Sequence, residues 1–315
     1  MIRPITGAII LGTALMLVNT ELQANCSTSS ANVSFGALSS FALATNTETV
    51  TAETGFKCSS GVLSLLGENK ITSTISTSSN SLGTTPRLYN TATNTYLPYS
   101  ICRDSGCGSS YGTGDTVSWS KSSVVGILNL FTGSDGSLPL YLRITPGLAL
   151  PAGTYTDTIV LTWNWKICSA GVGSVCIYNT GQATSVVTVT LNVLNDCFID
   201  KAPDVSFGSA AIVSAFPEVN QSIDVRCTLN STYQLGFDNG NNFSEGWRRM
   251  VNGPNTIQYN IYKETGTAVW TTSNTTTSTG SGATQSIPYR VAVNPIQPNV
   301  PAGTYIDSVR VILTY

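Results

Sequence analysis

The sequence predicts an all-β protein of two tandem immunoglobulin-like β-sandwiches, the second of them incomplete. Three observations predict it: apolar and polar residues alternate with period two, the same landmarks occur in both halves, and the two halves end differently. Alternation is clearest in Val186-Val187-Thr188-Val189-Thr190-Leu191-Asn192-Val193 and in Ile257-Gln258-Tyr259-Asn260-Ile261-Tyr262. Every second side chain there shares a face, as on a pleated strand. Clusters of Gly, Pro, Asn and Ser interrupt such runs at short intervals. No long segment carries helical spacing, although Ala210 to Ala215 has room for one turn. Many short strands between regular turn signals describe a sandwich.

The repeat divides the chain. Cys26 is followed by Val33-Ser34-Phe35-Gly36, Cys58 and, much later, Pro151-Ala152-Gly153-Thr154-Tyr155-Thr156-Asp157. From Cys197 the order recurs as Val205-Ser206-Phe207-Gly208, Cys227 and Pro301-Ala302-Gly303-Thr304-Tyr305-Ile306-Asp307. Two homologous domains are expected, 25–195 and 196–315, joined near Leu194 to Asp196. The Gly-Thr-Tyr suits a tyrosine corner, its hydroxyl tying down the turn before the penultimate strand. In the first copy the PAGTY strand, about Thr154 to Trp163, is followed by a loop and a last strand, Thr184 to Val193. In the second, Tyr315 falls at the end of the PAGTY strand itself, so the expectation is a sandwich without its last strand. Such a sandwich exposes an apolar groove edged by unpaired backbone groups, and a strand lent by a partner is the physical remedy. Alternation puts Val309, Val311, Leu313 and Tyr315 on one wall of that groove, with Val205 and Phe207 on the other.

Composition narrows the class. Charged residues are 10% of the chain against about 25% in ordinary domains, and the net charge of −2 offers no footprint for nucleic acid. A hydrophobic share of 41% argues against disorder. Arg3, the apolar run Ile5 to Val18 and the small residue Ala24 read as a secretory signal over 1–24. No later segment approaches the length of a membrane span, so none is expected after processing. All eight cysteines lie beyond the signal, and the chain has no histidine and no paired CxxC spacing. Disulfides are therefore expected, and no metal or cofactor. The repeat pairs Cys26 with Cys58 and Cys197 with Cys227; short hairpin-like separations pair Cys102 with Cys107 and Cys168 with Cys176. Without histidine there is no Ser-His-Asp or Cys-His arrangement. Asp157 and Asp307 recur at the same motif position, which suits a turn, and Asp104, Asp115 and Asp135 sit in Gly/Ser turns. An enzyme is not expected.

These residues carry a resemblance. With its VSFG, Arg248-Arg249-Met250, Tyr259-Asn260-Ile261-Tyr262, Trp270 and terminal PAGTYIDSVRVILTY, the second half resembles spore coat protein U domains, the pilin subunits of archaic chaperone–usher pili. The first half matches more loosely, through its ends and its PAGTYTDT strand. A two-domain chain with the incomplete domain last resembles the tip adhesins of Csu-type pili. The resemblance implies a periplasmic chaperone that lends a strand, an usher, and an adjacent pilin whose N-terminal extension replaces the chaperone's strand. Only Asn25 would precede Cys26 after processing, so this subunit is expected to have no strand to donate and to stand last, at the extracellular tip.

Comparing the copies shows where the first is enlarged. It has Val62-Leu63-Ser64-Leu65-Leu66 after Cys58, Val124-Val125-Gly126-Ile127-Leu128-Asn129-Leu130-Phe131 between strands D and E, and Ala170-Gly171-Val172-Gly173-Ser174-Val175 between Cys168 and Cys176. The second copy has short polar segments or nothing there. In an immunoglobulin-like sandwich these connections gather at one end, opposite the second domain, so Val62, Leu63, Leu65, Leu66, Val124, Val125, Ile127, Leu128, Leu130, Phe131, Ala170, Val172 and Val175 are the expected surface-binding residues. Exposed apolar loops mark interaction sites, and the resemblance implies adhesion to hydrophobic or abiotic surfaces and biofilm formation. The alternative is a carbohydrate-binding adhesin using Trp119, Trp163 and Trp165 as sugar platforms.

Overall fold

The structure, a computed structural model, describes residues 25–59, 68–122, 124–172 and 175–315. The expected signal (1–24) and Val62, Leu63, Leu65 and Leu66 lie outside the described residues, as do the side chains of Val124, Ala170 and Val172. The all-β, two-sandwich architecture expected from the sequence is what the chain forms. In the first sandwich one sheet runs in the order Thr116–Lys121, Asn69–Ser78, Gly153–Val172, Val175–Leu194, Ala31–Ser39. It packs against a second sheet of Glu48–Ala52, Leu140–Ile144, Ser100–Cys102 and Ser110–Tyr111. Between them lies one apolar core that includes Phe56, Ile71, Ile75, Ile101, Leu142, Leu161 and Trp163. The second sandwich has its own core, around Ile223, Val225, Leu235, Ile261, Trp270 and Val291.

Shared sequence makes shared local structure. Tyr155 Oη donates to the Pro151 carbonyl at 2.9 Å and Tyr305 Oη to the Pro301 carbonyl at 2.8 Å, so both tyrosine corners form. In VSFG the glycine is left-handed in both copies, with φ of +80° at Gly36 and +72° at Gly208. The serine two residues earlier accepts its amide hydrogen in each case. Disulfides join Cys26 to Cys58, Cys102 to Cys107, Cys168 to Cys176 and Cys197 to Cys227.

Two expectations are corrected. The PAGTY strand does not end near Trp163 but runs on to Val172, and its partner starts at Val175, giving a hairpin of two 20-residue strands. The inward alternation of Trp163, Trp165 and Ile167 continues past the expected end and keeps the strand on the core. Ile127, expected as an exposed binding residue, is fully buried. Val124–Leu128 is a short helix, and at helical spacing Ile127, Leu130 and Phe131 turn inward, Phe131 meeting Phe56 at 5.9 Å between rings. Leu128 also packs on this core.

The two sandwiches meet closely. Phe41, in the helix Ser40–Thr45, packs edge-on to Phe198 of the second sandwich at 5.5 Å between centroids. The Arg226 guanidinium, paired with Asp200 at 3.1 Å, lies 4.6 Å over the Phe41 ring. Ser40 and Thr228 hydroxyls are 3.3 Å apart, and Pro151 and Leu229 form a parallel bridge. A Cβ on Gly282, left-handed at φ +76°, would stand 2.7 Å from Ala149 Cβ.

Candidate functional site

Two places in the chain have the shape of a site, and the first is a groove in the second sandwich. In the first sandwich, Val175–Leu194 lies between Gly153–Val172, to which it is antiparallel, and Ala31–Ser39, to which it is parallel. Its inward residues Val187, Val189, Leu191 and Val193 are all buried, which at roughly 1.5–3 kcal/mol each contributes on the order of 6–12 kcal/mol. In the second sandwich, no strand among the described residues occupies that position. Val311–Thr314 pairs with Thr232–Phe237 on one side only, and residues 202–210, which include the VSFG copy, are not in a strand.

Between these two edges lies a cavity of about 530 Å³. Val205 and Phe207 form one wall, Tyr305 to Val309 with Val311 the other, and Phe237, Met250, Tyr259, Ile261, Tyr289 and Val291 the floor. Leu313 packs on the core beneath without lining the cavity. Tyr315, expected on this wall, is instead 55% exposed past the last paired residue. The floor was readable in part: alternation groups Tyr259 with Ile257 and Ile261, and all three are buried.

Polar groups brace the groove. Asp307 accepts from Tyr259 Oη at 2.8 Å and from the Asn241 amide at 3.1 Å. Asp157 holds the same position in the first sandwich, accepting from Tyr99 Oη and Ser78 Oγ at 2.7 Å each. Burial, and then the neighbouring carboxylate, push the phenol pKa of Tyr99 and of Tyr259 well above the ordinary value. Arg248 is wholly buried beside the floor. It donates to the carbonyls of Asp238 (2.6 and 2.9 Å) and Trp270 (2.9 Å), and burial pulls its pKa below the usual guanidinium value.

The second place is the far end of the first sandwich. At about 3.3 Å a residue, the 20-residue strand Gly153–Val172 carries the hairpin end roughly 60 Å from the junction. Two strand ends lie beside it. Asn69 Oδ1, at the strand start that follows 60–67, accepts the Cys168 amide hydrogen at 2.8 Å. Lys121, at the strand end that precedes the helix, pairs in register with Asn69. Of the expected binding residues, Val125 is 57% and Val175 79% exposed, while Ile127 is core and Leu128, Leu130 and Phe131 are half-buried on it. Ile177, missed in the sequence although it continues the alternation from Val175, is 70% exposed. The tryptophans do not form a sugar platform. Trp163 is buried in a stack with Phe56 and donates to Ser185, Trp119 is almost fully buried, and the half-buried Trp165 donates to Asn179.

A complete sandwich in tandem with an open-edged one defines a pilin-like class of protein. The chain belongs to the Spore Coat Protein U domain family, which matches residues 12–162 and 183–312. Among solved structures it is similar to the tip subunit in the CsuC–CsuE chaperone–tip adhesion subunit pre-assembly complex of archaic chaperone–usher Csu pili from Acinetobacter baumannii. The TM-score is 0.62 at 23% identity, covering 92% of this chain and 100% of that one. At that identity the likeness is one of fold. CfaE, the adhesive subunit of CFA/I fimbria of enterotoxigenic Escherichia coli, gives a TM-score of 0.31 at 11% identity, covering 91% and 92%, too loose to support an argument. A search of curated proteins finds no match.

Proposed function

We propose that this chain is the adhesive tip subunit of a chaperone–usher pilus, passing through the periplasm to the outside of the cell. Its first sandwich meets the target surface and its second joins the fibre. The observation that carries this reading is the contrast between the place filled by Val175–Leu194 in one sandwich and the open groove in the other. The first sandwich also supplies a template for the missing strand. Val187, Val189, Leu191 and Val193 stand opposite Ile159, Asp157, Tyr155 and Gly153, and the repeat carries these positions to Val309, Asp307, Tyr305 and Gly303. An extended segment with four alternating apolar residues would fill the cavity and pair both free edges. A periplasmic chaperone supplies it first; the N-terminal strand of the adjacent pilin replaces it at the usher.

At the other end, exposed Val125, Val175 and Ile177 support adhesion to hydrophobic, including abiotic, surfaces, and through it biofilm formation. Such contacts are individually weak and add up. In pili carrying the triple variant Val125→Ser, Val175→Ser, Ile177→Ser, attachment to hydrophobic plastic should fall by about tenfold or more, the equivalent of 1.4 kcal/mol or more. Assembly and melting should be unchanged. Undiminished attachment by well-folded variants overturns the surface assignment. Separately, Val309→Asp should abolish co-purification with the chaperone, and normal co-purification overturns the groove assignment.

A further inference from the structure

The hairpin is almost without charge. From residue 158 to residue 195 the single charged side chain is Lys166. It stands on the outward face of the sheet, 4.2 Å over the Tyr178 ring. Directly opposite, on the neighbouring strand, is Lys70, and both lysines are exposed. Two like charges in register across adjacent strands repel and lower stability. In a chain with 10% charged residues, that pairing is not forced by a crowded surface.

The surroundings leave the charge uncompensated. Lys121 ends the third strand at the same level, in register with Asn69. None of the four ion pairs found among the described residues includes Lys70, Lys121 or Lys166. Asn69 points into the core, so Lys121 opposite it lies on that side of the sheet, while Lys70 and Lys166 share the outward face; Glu68 lies beside Lys121. Away from this end the sheet face is neutral, with Thr72, Asn164, Thr74 and Thr162 along it. Lys70 and Lys166 thus stand on an open, flat face rather than in a cleft that would grip a single polymer chain.

We infer that Lys70 and Lys166, backed by Tyr178, form a second adhesive surface, cationic and flat, that binds densely anionic mineral such as silica with deprotonated silanols. It lies on the same end of the molecule as the apolar residues but on the sheet face. It therefore works by charge attraction where they work by exclusion of water, and it does not depend on the apolar reading. Charge complementarity selects the partner, and flatness favours a plane over a groove-bound ligand.

The test uses pili carrying the full-length chain, with bare silica and alkyl-coated silica beads in parallel. In low salt, Lys70→Gln with Lys166→Gln should reduce retention on bare silica about fivefold. Wild-type retention should fall similarly at about 0.5 M NaCl, where screening cuts charge attraction to a few ångströms. Retention on alkyl silica should stay constant, and that arm alone reports on the apolar residues. Lys70→Glu with Lys166→Glu should gain retention on amine-coated silica, a gain that misfolding cannot produce. Salt-insensitive silica binding that the Gln variants leave unchanged overturns the inference, as does equal loss on both bead types. Capture by alginate beads without capture by bare silica also overturns it, and reassigns the lysines to an acidic polysaccharide.

Discussion

The first and second sandwiches carry the same tyrosine corner, the same left-handed glycine in VSFG and the same tyrosine–aspartate pair. At the groove they differ in one strand. Where Val175–Leu194 is present, the VSFG segment lies within the strand Ala31–Ser39 and the PAGTY strand is continuous. Where its counterpart is absent, VSFG keeps its turn but is not in a strand, and only Val311–Thr314 of the PAGTY segment is paired as one. Local hydrogen bonds thus set the turn whether or not a neighbour is present, whereas strand character is conferred by the neighbour.

The sharpest way to break this comparison is to place the same charge in both sandwiches. Val189→Asp buries an unpaired carboxylate in a filled core and should cost the first sandwich about 4 kcal/mol or more, visible as a lost or strongly lowered melting transition. Val309→Asp faces the open groove and should leave the melting of the isolated chain almost unchanged. Adding a peptide of residues 186–193 should raise the melting temperature of the second sandwich in proportion to the logarithm of its concentration. It should not move that of the first.

Arg248 gives the next largest effect. Arg248→Met strips donors from the buried carbonyls of Asp238 and Trp270 and should destabilise the second sandwich alone by about 3 kcal/mol, read by chemical denaturation. The corners sharpen the comparison further. Tyr155 is buried and Tyr305 partly exposed, so Tyr155→Phe should cost about 1–2 kcal/mol and Tyr305→Phe less, since water can reach the freed carbonyl. The smallest effect belongs to pH. Tyr99 has its pKa raised by burial and by Asp157, so its contribution is intact below the unfolded phenol value, about 10. That contribution is lost as pH rises from there through the folded value. Denaturation midpoints should fall above about pH 10, and Tyr99→Phe should flatten that fall.

Much of this was legible because the chain repeats itself. The two copies of VSFG and PAGTY announce paired sandwiches, and Tyr155 and Tyr305 announce their corners in the sequence itself. The misreadings have physical causes. The apolar run from Val124 reads as a loop because it is too short for helical periodicity to stand out, and that reading puts Ile127 at the surface. The hairpin looked shorter than it is because Cys168, Ser169, Ala170 and Gly171 have turn-like composition, yet the ladder runs through them with a register shift between Cys168 and Ala170. Arg248 could not be recognised as buried, since an arginine in a strand ordinarily faces water and its carbonyl partners come from distant segments.

The long hairpin has a mechanical consequence. Its strands run from the junction, where Leu194 leads into the second sandwich, out to Val172 and Val175. Tension applied between those two points runs along the strands, at right angles to the ladder hydrogen bonds. The backbone of Val175–Leu194, continuous and already extended, carries that tension covalently, so the ladder bonds need not break. The Cys168–Cys176 bridge ties the two strands covalently near the loaded end, and the Phe41–Phe198 contact with Arg226 braces the junction at the other. A molecule built this way passes a steady pull along a strand that has almost no slack left to extend.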